Sequence, residues 1–343
     1  MQIGLIGSSE DLRCQGLSRF LEQQDVEVVF VNSRSFEEQQ AWSYHNHSYY
    51  YQGQCLDQVA AWYLATYPPA LPASWTDYQE HYLYKDWFVE YMHKREHRNF
   101  LMSWLLSLQR RQIPMINPPE YMVGQQLKPF ELELAHNLGM QTPQTLISND
   151  PKAILDFVQQ VQDPVFKPLV GYGHCHPVTE KELHQIEKVK AAPVIFQSRV
   201  HGTSVRVTLV DGAVVSAVKI PSESLDYRNN PDYEAGKQVY EPMNLPDQLV
   251  QQCQAYMQAT GLIWAGIDFI LTDEGQFVFL EANSSPMYIE IEMRTRAPIT
   301  FEICTALLKY ANDPQRYYQA LQHGRQNQGF VSYALPFGQN LWT

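Results

Sequence analysis

Hydrophobic and polar positions change their period several times along this chain, and each change predicts an element. The opening stretch, QIGLIGSSEDLRCQGLSRFLEQQDVEVVFVNS, begins apolar, then places Leu12, Leu17 and Leu21 near helical spacing, then returns to VEVVFV. That order predicts strand, helix and strand, a small α/β unit. GLIGSS lacks the GxGxxG spacing of a dinucleotide loop, which argues against such a site. Residues 40–95 are crowded with Tyr, Trp and His and hold little periodicity. A helical pattern resumes from Asp86 to Arg111, and Pro114, Pro118 and Pro119 mark a boundary after it.

Beyond that boundary the signals sharpen. Segment 120–139 predicts a helix ending at Gly139. SNDPKAILDFVQQV opens another helix, with an Asn/Asp cap and Pro151 in its first turn. PVFKPLV predicts a short strand, GYGHCHP a loop, and Thr179 with Glu182 stand at capping-box spacing. SVRVTLV-DG-AVVSAVKI predicts a hairpin turning at Asp211-Gly212. DQLVQQCQAYMQATG predicts an amphipathic helix closing at Gly261, and WAGIDFIL-TDEG-QFVFLEAN a second hairpin. A further helix is predicted over 298–311, and no internal repeat is visible. Mixed segments followed by two hairpins predict an α+β fold with an α/β domain at its N-terminus.

The second hairpin carries candidate chemistry. Glu281 and Asn283 point the same way, because a strand reverses its side chains at each residue. A two- or four-residue loop puts Asp268 opposite Phe279, with Glu281 one diagonal step, roughly 7–8 Å, along the same face. Asp268, Glu281 and Asn283 then make a hard-oxygen set suited to Mg²⁺, with Mn²⁺ as an alternative. A slip of one residue would turn Asp268 to the other face. In the first hairpin the Asp-Gly turn puts Arg206 opposite Ala217 and Lys219 opposite Ser204, on one side. Two cations there with no carboxylate between them fit either a polyphosphate site or a solvated face. Lys167 lies in an apolar strand, where a lysine is costly unless paired or able to snorkel to water. Gly171 and Gly173 follow it and free the backbone to wrap a phosphate.

Composition narrows the class of protein. At 343 residues the chain can form two or three domains with self-sufficient cores. A formal charge of −12 argues against a general nucleic-acid binder, though not against a local basic pocket. Five scattered cysteines without a CxxC pair suit reduced thiols. The N-terminus has no basic n-region, and FLMSWLLSL is too short to span a bilayer, so a cytoplasmic protein without membrane contact is expected. His174-Cys175-His176 is too compact for one ion to take all three side chains and reads as loop packing or a group near phosphates. His45 and His47 would share a strand face but lack a third ligand, which favours a structural role. HKREHR (93–98) and Arg110-Arg111 read as helix surface, with docking of an acidic peptide as the alternative.

The order of these parts resembles the ATP-grasp carboxylate ligases over about residues 115–312. EANSSP resembles the motif of the ribosomal-protein glutamate ligases, and Asp226-x-Arg228 in LDYRNN resembles the DxR motif of graspetide (microviridin-type) peptide macrocyclases. The resemblance implies a nucleotide held between two α+β subdomains, 118–193 and 194–312, after an α/β substrate-binding domain over 1–117. The tail 313–343 would cover the site or build a homodimer. Lys128 and Lys167 would contact ATP phosphates, and the backbone of Arg199 and Val200, after Gln197, would hold the adenine edge. Arg206, Lys219 and Arg228, with Asp226 beside it, would face the γ-phosphate and the acyl phosphate. Asp268, Glu281 and Asn283 would hold Mg²⁺. Ser198 and Ser204 stand where the family often has acids, and Met287 replaces a usual glycine. The implied reaction is ADP-forming: a carboxylate, activated as acyl phosphate, joins an amine or hydroxyl acceptor. Amino-acid addition and side-chain cross-linking of a peptide both remain open. Ligation of small amino-acid metabolites and a non-catalytic nucleotide-binding role are the alternatives.

Overall fold

Sixteen strands carry the architecture of the described residues, which in this computed structural model are 1–33, 41–65, 84–122, 127–169 and 174–328. The chain divides into two compact units, one of residues 1–119 and 300–323, the other built on 120–299. The first unit holds β1 (Gln2–Gly7), β2 (Glu27–Asn32), β3 (Trp42–His45), β4 (Ser48–Tyr51), β5 (Gln54–Cys55), β6 (Val59–Leu64) and β7 (Met115–Ile116). β1, β2, β6 and β7 form a parallel sheet in the order β2-β1-β6-β7, as near-continuous apolar runs favour. Helix Leu12–Glu22 connects β1 to β2; Asp11 caps its start, and Leu17 and Leu21 are buried.

Gly4 sits in register with Trp62, and a Cβ at residue 4 would lie 2.0 Å from that ring. Trp62 packs edge-on against Trp104 at 4.8 Å, so the indole has little room to retreat. The Tyr-rich stretch is an antiparallel meander, β3-β4-β5. Asn46 and His47 are its two-residue turn, both with positive φ (50° and 65°), a geometry that favours such a turn. His47 therefore does not share a strand face with His45, which stacks on Tyr50 at 4.6 Å.

The second unit holds β8 (Thr145–Ser148), β9 (Pro164–Lys167), β10 (His176–Pro177) and β11 (Val194–Ser198), ordered β10-β9-β11-β8. Its larger sheet uses β12 (Thr203–Val210), β13 (Ala213–Ile220), β14 (Glu241–Pro242), β15 (Trp264–Leu271) and β16 (Phe277–Asn283), ordered β14-β13-β12-β15-β16. Asp150 and Thr179 cap helices as their spacing predicts, and Gly261 closes helix Asp247–Thr260 with φ 68°. Val205, Val207, Leu209, Ile267, Phe269 and Phe279 meet helices Lys128–Asn137 and Asp247–Thr260 in one core.

Two bulges correct the expected registers. In the first hairpin, Val210 pairs with Ala213 at the Asp-Gly turn, but the register shifts between Thr208 and Leu209. Val215 is the extra residue, so Lys219 pairs with Val205 and Arg206 with Val218. Directly opposed residues share a face, so Lys219 lies on the face of Val205, away from Arg206; the expected pair of cations on one side does not form. In the second hairpin Phe269 pairs with Phe279 rather than Phe279 with Asp268. Continued unbroken, that register would set Asp268 against Leu280 and turn it from Glu281. Leu280 instead bulges, and Asp268 pairs directly with Glu281. Among the described residues no helix is long and apolar enough to cross a membrane.

Overpacking at Gly4 gives a direct check. Gly4→Val should lower the unfolding free energy of the first unit by about 1–3 kcal/mol, read as an earlier calorimetric transition. An unchanged transition would show that Trp62 is not held in place.

Candidate active site

Lys128 opens helix Lys128–Asn137, and Pro129 in the first turn helps set the helix start. One turn on, Glu131 lies at the i+3 position, and its Oε2 accepts from Lys128 Nζ at 2.8 Å. The same ammonium stands 3.1 Å from Glu281 Oε2 on β16. Lys128 and Glu131 are 6% and 2% exposed, so one buried cation serves two carboxylates. Burial alone would favour a neutral amine, but Glu131 and Glu281 hold the Lys128 pKa above its ordinary value. The carboxylates divide unequally. Burial also opposes ionisation of Glu281, yet Lys128 and Lys167 together hold it down to about 2. Glu131 is pushed by burial up to about 8, with Lys128 offsetting only part. Lys167 ends β9 in the smaller sheet, so its field on Glu281 links the two sheets of this unit.

Next to this cluster, β12 and β15 set Arg206 in register with Asp268. The guanidinium grips the carboxylate twice, from Nε to Oδ1 and from Nη2 to Oδ2 at 2.9 Å. Burial still pushes the Asp268 carboxyl upward, and Arg206 offsets only part of it. Asn283 Nδ2 donates to Asp268 Oδ2 at 3.1 Å and to Glu281 Oε1 at 3.3 Å. Turning that amide over would present Oδ1 instead, giving three convergent oxygens. Among the described residues no three of His, Cys, Asp and Glu gather as a metal group. This trio owes its third donor to an amide. Two carboxylates and an amide match the hard-oxygen preference of Mg²⁺, and a cation would relieve the buried charge of Asp268.

A second pair lies in the turn after β13. Asp226 caps that turn by accepting from the Arg228 backbone N–H, and the Arg228 side chain closes on the same carboxylate through Nε (2.9 Å) and Nη2 (2.6 Å). Burial alone would raise the Asp226 pKa, but Arg228 holds it below the ordinary value. Glu281 is among the charges that raise the Arg228 pKa, after its Asp226 bonds, so the turn neighbours the oxygen trio. Tyr227 between them is half-buried, its pKa pushed up to about 12 by desolvation, within the fields of Arg206 and Asp268.

The remaining expected residues fall as follows. Gln197 is buried and donates from Nε2 to Thr145 Oγ1 at 3.0 Å. The Arg199 N–H donates to the Asp163 carbonyl at 3.1 Å, so what it can offer a nucleobase edge is its carbonyl; Val200 follows it beyond β11. Ser204 shares the Arg206 face of β12, two residues away. Lys219 is half-buried on the opposite face. Gly171 and Gly173 lie outside the described residues. Sequence reasoning missed Glu131, although its i+3 spacing from Lys128 is a signal for such a pair.

The lysine-held carboxylates thus lie in a unit built of two antiparallel sheets, with Glu281 on the larger one and Lys167 on the smaller. Residues 125–307, more than half of the chain, match the RimK-like ATP-grasp domain, and the protein belongs to that family. It is an ATP-dependent ligase of α+β fold that uses ATP and Mg²⁺. The chain is 24% identical over 227 residues to a tetrahydromethanopterin:alpha-L-glutamate ligase from Methanocaldococcus jannaschii, covering 62% of this chain and 76% of that protein. It is similar to the ATP-grasp ligase PsnB complexed with a phosphomimetic variant of a minimal precursor, Mg and ADP. That match has 27% identity and a TM-score of 0.78, covering 90% of this chain and 98% of the other. The macrocyclase MdnC from Microcystis aeruginosa, bound with precursor peptide MdnA, shares the fold at 20% identity and a TM-score of 0.74, covering 90% and 99% of the two chains.

Two measurements probe the cluster. Arg206→Met leaves Asp268 buried without its cation and should cost about 3–5 kcal/mol, while adding Asp268→Leu should recover most of that loss. Equal losses for the single and double variants would refute the pairing. Glu131 binds its proton more tightly folded than unfolded, so its contribution is full below the ordinary glutamate range and lost as pH rises through about 8. Glu131→Gln should therefore flatten the fall in thermal midpoint between pH 5 and 8.5, and an unaltered slope would remove Glu131 as its source.

Proposed function

We propose that this ligase modifies peptides, activating a carboxylate as an acyl phosphate at the expense of ATP and joining it to an amine or hydroxyl. The reading is carried by the Asp226–Arg228 pair, whose arginine side chain is 41% exposed and lies within the field of Glu281. Similarity over 90% of the chain to PsnB, whose structure holds a precursor variant, supports a peptide as the substrate class. In this reading Lys128 and Lys167 bind the phosphates, and Gln197, Arg199, Val200 and Ser204 border the nucleoside. Asp268, Glu281 and Asn283 would hold Mg²⁺, which when bound neutralises charge on the transferring phosphoryl group. Arg206 neutralises and orients Asp268, and Arg228 holds the phosphoryl oxygens while Asp226 fixes its direction. A glutamate-ligase relative favours a second outcome, addition of an amino acid to the substrate.

Mass spectrometry of peptides from cells with and without the protein separates these outcomes. Cross-linking gives a peptide lighter by one water, and amino-acid addition gives one heavier by a residue. With such a peptide the purified protein should release ADP, and Glu281→Ala should slow that release at least about 100-fold while the protein stays folded. AMP and pyrophosphate as products, or full turnover by the Glu281 variant, would overturn the assignment.

A further inference from the structure

The Asp-x-Arg fork occurs twice in this chain, and the difference between the copies is informative. At Asp11–Arg13 the backbone N–H and Nε of the arginine reach Asp11 Oδ1 at 2.9 and 3.0 Å, which repeats the Asp226–Arg228 geometry. The fork is therefore a local way of opening a helical turn, and by itself marks no site. The first copy is closed away, its arginine side chain 5% exposed, whereas Arg228 is 41% exposed. The second copy also receives another arm. His174 Nδ1 lies 3.3 Å from Asp226 Oδ2, from a loop 52 residues earlier in the chain.

That carboxylate does two things at once. It aims Arg228, and by accepting from Nδ1–H it selects the tautomer whose Nε2 carries a lone pair. The His174 side chain is 43% exposed, so the ring can be reached from outside. Its neighbour Cys175, whose ionisation burial disfavours, lies within the fields of Lys167, Asp226, Arg199 and Arg228. The imidazole thus stands among the groups assigned to ATP and the acyl phosphate, oriented as a base oriented by a third residue would be.

We propose that His174 is the general base of the second half-reaction, the attack of the acceptor on the activated carboxylate. The proposal rests on the ligase chemistry above. The acceptor N–H or O–H bond breaks and its proton passes to His174 Nε2. A new bond forms from that nitrogen or oxygen to the acyl carbon, while the carbon–oxygen bond to phosphate breaks and phosphate leaves with the electron pair. Asp226 is a positioning residue in this step, and Arg228 holds the departing anion.

Hydroxylamine separates the two halves, because it traps an acyl phosphate as hydroxamate without help from a base. The probe is a synthetic peptide carrying Glu, Thr and Lys, supplied with ATP and Mg²⁺, with and without hydroxylamine. His174→Gln should keep hydroxamate formation within about twofold and lose cross-linked product at least about 100-fold, with partial rescue by added imidazole. Equal loss of hydroxamate and product would place His174 in activation instead, and unchanged cross-linking would give it no role; either result overturns the proposal. Absence of hydroxamate from the unaltered protein would overturn the acyl-phosphate reading itself.

Discussion

One buried ammonium shared by two carboxylates is the constraint on which this site depends. Lys128 ties the start of its helix to the end of β16, its ammonium meeting both Glu131 and Glu281. Removing one partner from a buried set of this kind strands the others in low dielectric, at a cost of about 3–5 kcal/mol. The division of protons follows: Glu281, also facing Lys167, stays ionised, whereas Glu131 retains affinity for a proton near neutrality. An always-ionised carboxylate is what a metal ligand must be. A proton-binding one beside it limits the negative charge that a nucleotide would meet.

The same economy of charge recurs along the larger sheet. Arg206 neutralises Asp268, and Asn283 bridges Asp268 and Glu281 with a group that can present either a donor or an oxygen. Phosphates and Mg²⁺ arriving together bring charges of both signs, so the cluster can exchange internal pairs for external ones with little net change. The second pair, Asp226–Arg228, differs in being open to one side, which the proposed grip on an anion requires.

Much of this was legible along the chain. The helix caps at Asp150 and Thr179, the closing glycine at 261 and both hairpins follow from local chemistry, and each formed where its residues predict. Strand alternation and an assumed loop length group Asp268, Glu281 and Asn283, whereas the strands pair in another register and the bulge at Leu280 is what brings Asp268 to Glu281. His45 and His47 show the limit: alternation assumed a continuous strand, and a turn with positive φ at residues 46 and 47 broke it.

Local periodicity, capping and turn residues thus determined which segments became strands and helices, and the order of motifs determined the family. Register was decided only in three dimensions. Beyond the bulges at Val215 and Leu280, buried partners across the sheet, Val207 with Ala217 and Ile267 with Ala282, take up positions that an unbroken ladder from either turn would not give. Those two extra residues send Lys219 away from Arg206 and bring Asp268 to Glu281. A bulge answers to packing between strands far apart in sequence, and no spacing within one strand records it.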